Sequence, residues 1–158
     1  SRGLGDVYKR QIIGAVIPDQ SMSPTLNKDD RVIVNKIKVT FDLLDHGDII
    51  MYRQDGRVHF SRIIGKPGES IEIRNHHLYR DDRRVNDKYA KHRQINNIAL
   101  RDIKNSDGDT IPPGSYVVLN DKDSDKSDSR RYGLIDKKDI IGDVSLKYYP
   151  FKEFAYQF

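Results

Sequence analysis

The side chains able to do covalent or metal chemistry form a short inventory in this sequence. There is no cysteine, which removes thiolate nucleophiles, thiolate zinc sites and disulfides together. The histidines, His46, His59, His76, His77 and His92, show neither an HExxH pattern nor any zinc spacing. Asp121, Asp123 and Asp125 alternate as in a calcium loop. The EF-hand form fails, however, because it needs glycine and glutamate where Lys126 and Tyr132 stand. No metal and no cofactor is expected. Ser21-Met22-Ser23-Pro24-Thr25-Leu26 carries hydroxyls, and a serine hydroxyl is a poor nucleophile unless a base lies within hydrogen-bond reach. Taken alone, this stretch is a turn: Pro24 restricts Ser23 to extended geometry, and Ser, Pro and Thr are ordinary loop residues.

The elements that must position these residues are mostly strands. Short β-branched runs recur at 31–35, 48–52, 58–64, 70–74, 115–119 and 143–148. They are punctuated by Asp55-Gly56, Lys66-Pro67-Gly68, Asn75-His76-His77, Asp107-Gly108 and Pro112-Pro113-Gly114. No long window keeps a 3.6-residue period, so only short helical turns are expected, near Thr40–Leu44 and Lys137–Ile141. Residues 75–111 are the most polar and least strand-like, and read as a lobe inserted between two halves of one β core. The 158 residues fit one domain with such an insertion.

Charge narrows the function classes. The formal net charge is +4, and half of it lies in residues 1–11, SRGLGDVYKRQ. That leader has no initiating Met and no apolar region, and reads as non-native. Residues 70–104 carry nine basic and five acidic groups, with Tyr79 and Tyr89 among them. Interspersed Asp81, Asp82 and Asp87 favour a solvated or anionic-lipid-facing surface over an RNA patch, so no nucleic-acid partner is expected.

Several further segments follow the serine turn in a fixed order. They are Asn27–Val32, Gly47-Asp48-Ile49-Ile50, Ser61–Glu69, Asn120-Asp121, Asp128-Ser129-Arg130, Tyr132–Ile135 and Ile141-Gly142. As an ordered set, spread from about Ile12 to Phe158, they resemble the type I signal peptidases of the short Gram-positive kind. These are membrane-anchored serine endopeptidases with a Ser/Lys dyad that release signal peptides on the outer side of the plasma membrane. The resemblance implies an all-β fold of coiled antiparallel sheets, a single N-terminal anchor that this chain lacks, and an extracytoplasmic location. It also implies preprotein signal peptides as partners, with the membrane surface and an active peptidase paralogue as further candidates.

Carried over position by position, Ser21 stands at the nucleophile and Met22 follows it. The family's general base is a lysine on the strand just before Arg62-Ile63-Ile64-Gly65, and that position here is Ser61. A serine cannot take the proton, and neither can Arg62, whose guanidinium stays charged. The serine that normally hydrogen-bonds that lysine stands two positions ahead of Asp128, where this chain has Lys126. Lysine and serine have thus exchanged places. Lys126 is then either a substitute amine that partly restores the dyad or a solvated charge in a drifted loop.

Asp121, Asp128, Ser129 and Arg130 match the supporting segment. Ala15, Ile17, Met22, Leu26 and Phe60 fall where the resemblance places shallow apolar pockets for the signal peptide, although Leu26 and Phe60 also read as core. The Ser21 amide is one oxyanion donor by resemblance. Asp19 stands two residues before it, where a carboxylate would repel the oxyanion unless it points away. Loss of one donor costs about a hundred- to a thousandfold in rate. A weak or silent peptidase that still binds signal peptides by β-augmentation is the expectation. The autoproteolytic SOS-repressor domain uses a similar dyad, but it lacks the Asp128-Ser129-Arg130 segment.

Overall fold

The computed structural model describes residues 11–86, 88–90, 92, 95–150 and 155–158. The 1–11 leader lies almost wholly outside them. The strands are β1 (Ile12–Val16), β2 (Arg31–Asn35), β3 (Ile49–Gln54), β4 (Arg57–Gly65), β5 (Ile71–Arg74) and β6 (His77–Arg80). They continue as β7 (Arg83–Arg84), β8 (Ile98–Ala99), β9 (Ser115–Leu119), β10 (Ile135–Asp136) and β11 (Ile140–Tyr149). Two one-turn helices, α1 (Ile37–Thr40) and α2 (Ser129–Tyr132), and two 3₁₀ turns complete the described elements. All strand pairs are antiparallel, in a seven-stranded sheet ordered β1-β2-β11-β3-β4-β9-β10 and a four-stranded sheet ordered β7-β6-β5-β8. The all-β expectation holds.

Alternation explains the half-buried strands. In β2, Val32 and Val34 are buried while Arg31 faces solvent, the period-2 signature of a sheet with one wet face. β4 sits between β3 and β9, and Phe60 to Gly65 are all buried. Register in this region is set by the β3–β4 turn, where Asp55 and Gly56 both have positive φ, as a two-residue hairpin loop that follows sheet twist requires. It pairs Gln54 with Arg57, and by counting back it sets Ser61 opposite Ile50 and Arg62 opposite Ile49. A one-residue slip would exchange the faces of Ser61 and Arg62.

The small sheet includes β5, which begins four residues ahead of the expected 75–111 excursion because Ile71 and Ile73 are core residues. Its hairpins turn at Asn75-His76 and Asp81-Asp82, all at positive φ. The expected helical turn at 40–44 forms three residues earlier, as α1, and the one at 137–141 is the 3₁₀ turn Lys137–Asp139. β1, β6 and the two-residue strands β7, β8 and β10 had no strand reading in the sequence.

The main core divides around the large sheet. One cluster joins Ile50, Tyr52, Ile63, Val118 and Ile135, and another joins Ile17, Met22, Leu26, Val32, Val34, Ile49, Phe60 and Val144. β11 crosses the middle and shifts register between Ile140 and Gly142. A Cβ on Gly142 would lie 2.5 Å from the Asn35 carbonyl oxygen, so only glycine permits that approach.

Asp143 follows on β11, buried, with Oδ1 unpartnered and the Lys38 ammonium 3.9 Å away. Burial pushes its carboxyl up to about 6, partly opposed by Lys38. Because the folded chain holds this proton more tightly than the unfolded one, its contribution to stability is full below about pH 4. That contribution is lost as pH rises to about 6. Asp143→Asn should therefore raise stability at pH 7.5 by about 1–2 kcal/mol, with the gain vanishing near pH 4, as read from urea unfolding at both pH values.

Candidate active site

Ser21 lies in the turn between β1 and β2 and is 4% exposed. The turn is held from within by Ser23 N–H donating to the Gln20 carbonyl and Leu26 N–H to that of Met22, each at 3.0 Å. Its ends are closed by Ile17 N–H to the Asp30 carbonyl and Asp29 N–H to the Ile17 carbonyl. Met22 and Leu26 point into the apolar cluster, and Ile17, Ala15 and Phe60 pack in the same cluster. The five residues named for signal-peptide pockets therefore meet in one place, where they are also core.

The orientation of Asp19 follows from a backbone contact. Ser21 N–H donates to Asp19 Oδ1 at 3.0 Å, an Asx-type turn in which the side chain satisfies the amide two residues on. An oxyanion formed at Ser21 would find that amide already bonded to a carboxylate. Among the described residues, no hydrogen bond reaches Ser21 Oγ.

Ser61 is fully buried on the β4 face opposite Phe60 and Arg62. Its Oγ donates to Asn120 Oδ1 at 2.6 Å, which leaves it to accept from the Tyr52 hydroxyl at 2.8 Å. Burial pushes the Tyr52 phenol well above its ordinary pKa, so it stays a donor. Asn120 Nδ2 then bonds Asp125 and Ser127, closing the network on the loop that follows β9. Tyr52, Ser61 and Asn120 contribute only hydroxyls and an amide, so no group in contact with Ser61 Oγ is a base at neutral pH; the Asp125 carboxylate enters only beyond Asn120 Nδ2. Between Asp125 and Ser127, Lys126 has an exposed side chain.

The segment after β9 connects the two serines. Asn120 takes Ser61, Asp121 N–H meets Met22 Sδ at 3.4 Å, and Lys122 N–H donates to the Ser21 carbonyl at 3.0 Å. Asp121 accepts a two-pronged contact from Arg62, at 2.9 and 2.6 Å, and another from Thr25 Oγ1 at 2.6 Å. Arg62 is 1% exposed and lies 3.7 Å from the centre of the Tyr89 ring.

Asp128 caps α2 through the Arg130 amide and also accepts the Asn120 amide and the Arg130 guanidinium. Arg130 additionally donates to the Asp123 and Asp125 carbonyls, so the cation inside the acidic loop is a guanidinium. Ser129 Oγ accepts from the Val118 amide at 2.9 Å, tying α2 to β9. All four residues named as supporting thus hold the loop, while Lys126 does not participate through its side chain.

This sequence matches the family described as signal peptidase, peptidase S26, over residues 7–149. The chain belongs to this signal peptidase family. It is 61% identical over 147 residues to the protein named inactive signal peptidase IA of Staphylococcus aureus strain COL, covering 93% of this chain and 84% of that one. It is 35% identical over 153 residues to signal peptidase IB of Staphylococcus aureus strain MRSA252, covering 90% and 80%. Among solved structures, the signal peptidase I of Enterococcus faecalis V583 superposes with a TM-score of 0.57 at 25% identity, over 63% of this chain and 95% of that one. As a signal peptidase homologue, this chain has among its described residues no helix long and apolar enough to cross a membrane.

Three contacts had no advance reading in the sequence: Tyr52 on Ser61, the Asp19 cap, and the buried Lys147–Asp30 pair at 3.6 Å. The Asp19 cap had a local signal, an Asp two residues before the amide it takes. The other two join positions nine and more than a hundred residues apart and leave no pattern in a short window. Arg130→Ala should destabilise the fold by about 3 kcal/mol in urea unfolding, because it strands Asp128 and two loop carbonyls. Lys126→Ala should stay within about 0.5 kcal/mol.

Proposed function

We propose that this chain is the extracytoplasmic part of a membrane-associated signal peptidase homologue that binds the signal peptides of exported preproteins without cleaving them at a useful rate. The carrying observation is Ser61: the position that the resemblance gives to the general base holds a hydroxyl already engaged with Tyr52 and Asn120, and no base is hydrogen-bonded to Ser21 Oγ among the described residues. The Asp19 carboxylate on the Ser21 amide adds a second, independent defect at the oxyanion position. The relative named inactive signal peptidase IA supports the same reading.

Binding does not need the missing base. An extended peptide pairing with a strand edge is held by main-chain hydrogen bonds and apolar pockets, and the cluster around Ile17, Met22 and Phe60 is intact. Phe41 and Leu43, two residues apart just after α1, expose apolar side chains, which fits a surface that works against lipid. Partnership with an active paralogue extends this reading. Proteins named inactive signal peptidase IA and signal peptidase IB both occur in Staphylococcus aureus strain MRSA252, and this chain is similar to each.

Cleavage of a preprotein in detergent tests the proposal. The unaltered chain should be no faster than Ser21→Ala, and both should retain signal-peptide binding in a pull-down. Ser61→Lys combined with Asp19→Ser should raise cleavage by at least about a hundredfold over the unaltered chain, since general-base assistance alone is worth about 10²–10⁴. Lys126→Ala should change nothing. Turnover by the unaltered chain that disappears in Lys126→Ala would show an active enzyme with a substitute base and sink the reading.

A further inference from the structure

The last described residues, 155–158, lie back across the site. Ala155 forms an antiparallel bridge with Lys147, its amide donating to the Lys147 carbonyl at 3.1 Å and its carbonyl accepting the Lys147 amide at 2.7 Å. Tyr156 is 66% exposed. Phe158 then turns inward, its side chain packing on the apolar cluster that holds Ala15, Ile17, Met22, Leu26 and Phe60. Its main-chain oxygen accepts from Arg62 Nη1 at 2.8 Å and from the Tyr89 hydroxyl.

These donors form a site rather than a chance contact. Arg62 commits Nε and Nη2 to Asp121, and Nη1 donates to the Gly47 carbonyl and to Phe158. The guanidinium is held rigid by that ion pair and by the Tyr89 ring against it, so one N–H and one O–H are fixed on a single point. Beside that point is an apolar surface that takes an aromatic ring. Two cavities, of about 440 Å³ and 670 Å³, are both lined by Tyr89 and Phe158.

We propose that the Arg62–Tyr89 pair and the adjoining apolar cluster form a binding site for a peptide main-chain oxygen, filled in cis by residues 155–158 and released when an extended peptide competes for it. The ligand class is a peptide offering a main-chain oxygen, from an internal carbonyl or a C-terminal carboxylate, and an apolar side chain next to it. Competition by a signal peptide rests on the function proposed above, because the tail covers the same apolar residues.

Fluorescence anisotropy with a labelled peptide of residues 150–158 tests the site on the full chain; the peptide is used as free acid and as C-terminal amide, equal binding marking a carbonyl site and binding of the acid alone a carboxylate site. Phe158→Ala weakens the cis occupant, and this variant should bind the peptide about tenfold more tightly than the unaltered chain, as loss of one aromatic anchor implies. Adding Tyr89→Phe should remove most of that gain, and amide exchange at Lys147 and Ala155 should quicken in Phe158→Ala. Equal peptide affinity for the unaltered and Phe158→Ala chains, or no binding to either, overturns the site. A labelled signal peptide forms the separate arm, expected to bind Phe158→Ala about tenfold more tightly and to be displaced by the tail peptide. Tail-peptide binding as expected with no signal-peptide binding leaves the site standing and rejects the function proposed above. Signal-peptide binding that the tail peptide does not displace rejects the competition.

Discussion

The site is organised by the need to satisfy one buried charge. Arg62 is removed from water on a central strand, and a guanidinium cannot discharge itself by losing a proton. Its charge must therefore be met by fixed oxygens, and Asp121 supplies two of them at 2.9 and 2.6 Å. That requirement brings the segment after β9 against β4. Once Asp121 is fixed, its neighbours fall into contact with both serines: Asn120 with Ser61 and Lys122 with Ser21. Thr25 joins the same carboxylate from the far side of the serine turn. Such a pair adds little net stability compared with an apolar substitute, but breaking it is costly, which suits it to fixing a geometry.

Around that anchor, the scaffold of a signal peptidase persists while its proton chemistry does not. The position that should hold an amine carries a hydroxyl, and the hydroxyl is integrated into the fold by a phenol and an amide that satisfy it completely. The serine turn is likewise well formed, with its amide capped by Asp19. Both changes replace a reactive or unsatisfied group by a satisfied one. The acidic loop follows the same logic, since Arg130 fills it and α2 closes it.

Much of this was legible from local pattern. β2, β9 and most of β3, β4, β5 and β11 follow β-branched runs, and Asp55-Gly56 marks the turn that sets the register of Ser61 and Arg62. β1 and β6 were not legible, nor were the two-residue strands β7, β8 and β10. Ile12–Val16 is a strand because it pairs with β2, and β6 because Asn75-His76 turns back onto β5 at positive φ, a conformation the residue types permit without requiring. α1 is displaced toward its N-terminus because Val39 faces the core beside Leu44.

The sequence by itself determined which groups are present: Ser21 and Ser61 at the positions where the resemblance implies a nucleophile and a base, Arg62 and Asp121 in separate segments, and the ordered segments of a signal peptidase. These follow from residue type and spacing, which survive any folding. Only the tertiary structure decided where each polar atom is directed. Whether Asp19 faces its own turn, what occupies Ser61, and that Phe158 lies over the apolar cluster depend on contacts as local as two positions and as distant as the 96 positions between Arg62 and Phe158. Burial decides them, because each polar atom removed from water must take the nearest available partner, and the nearest partner is set by the packing of strands distant in the chain.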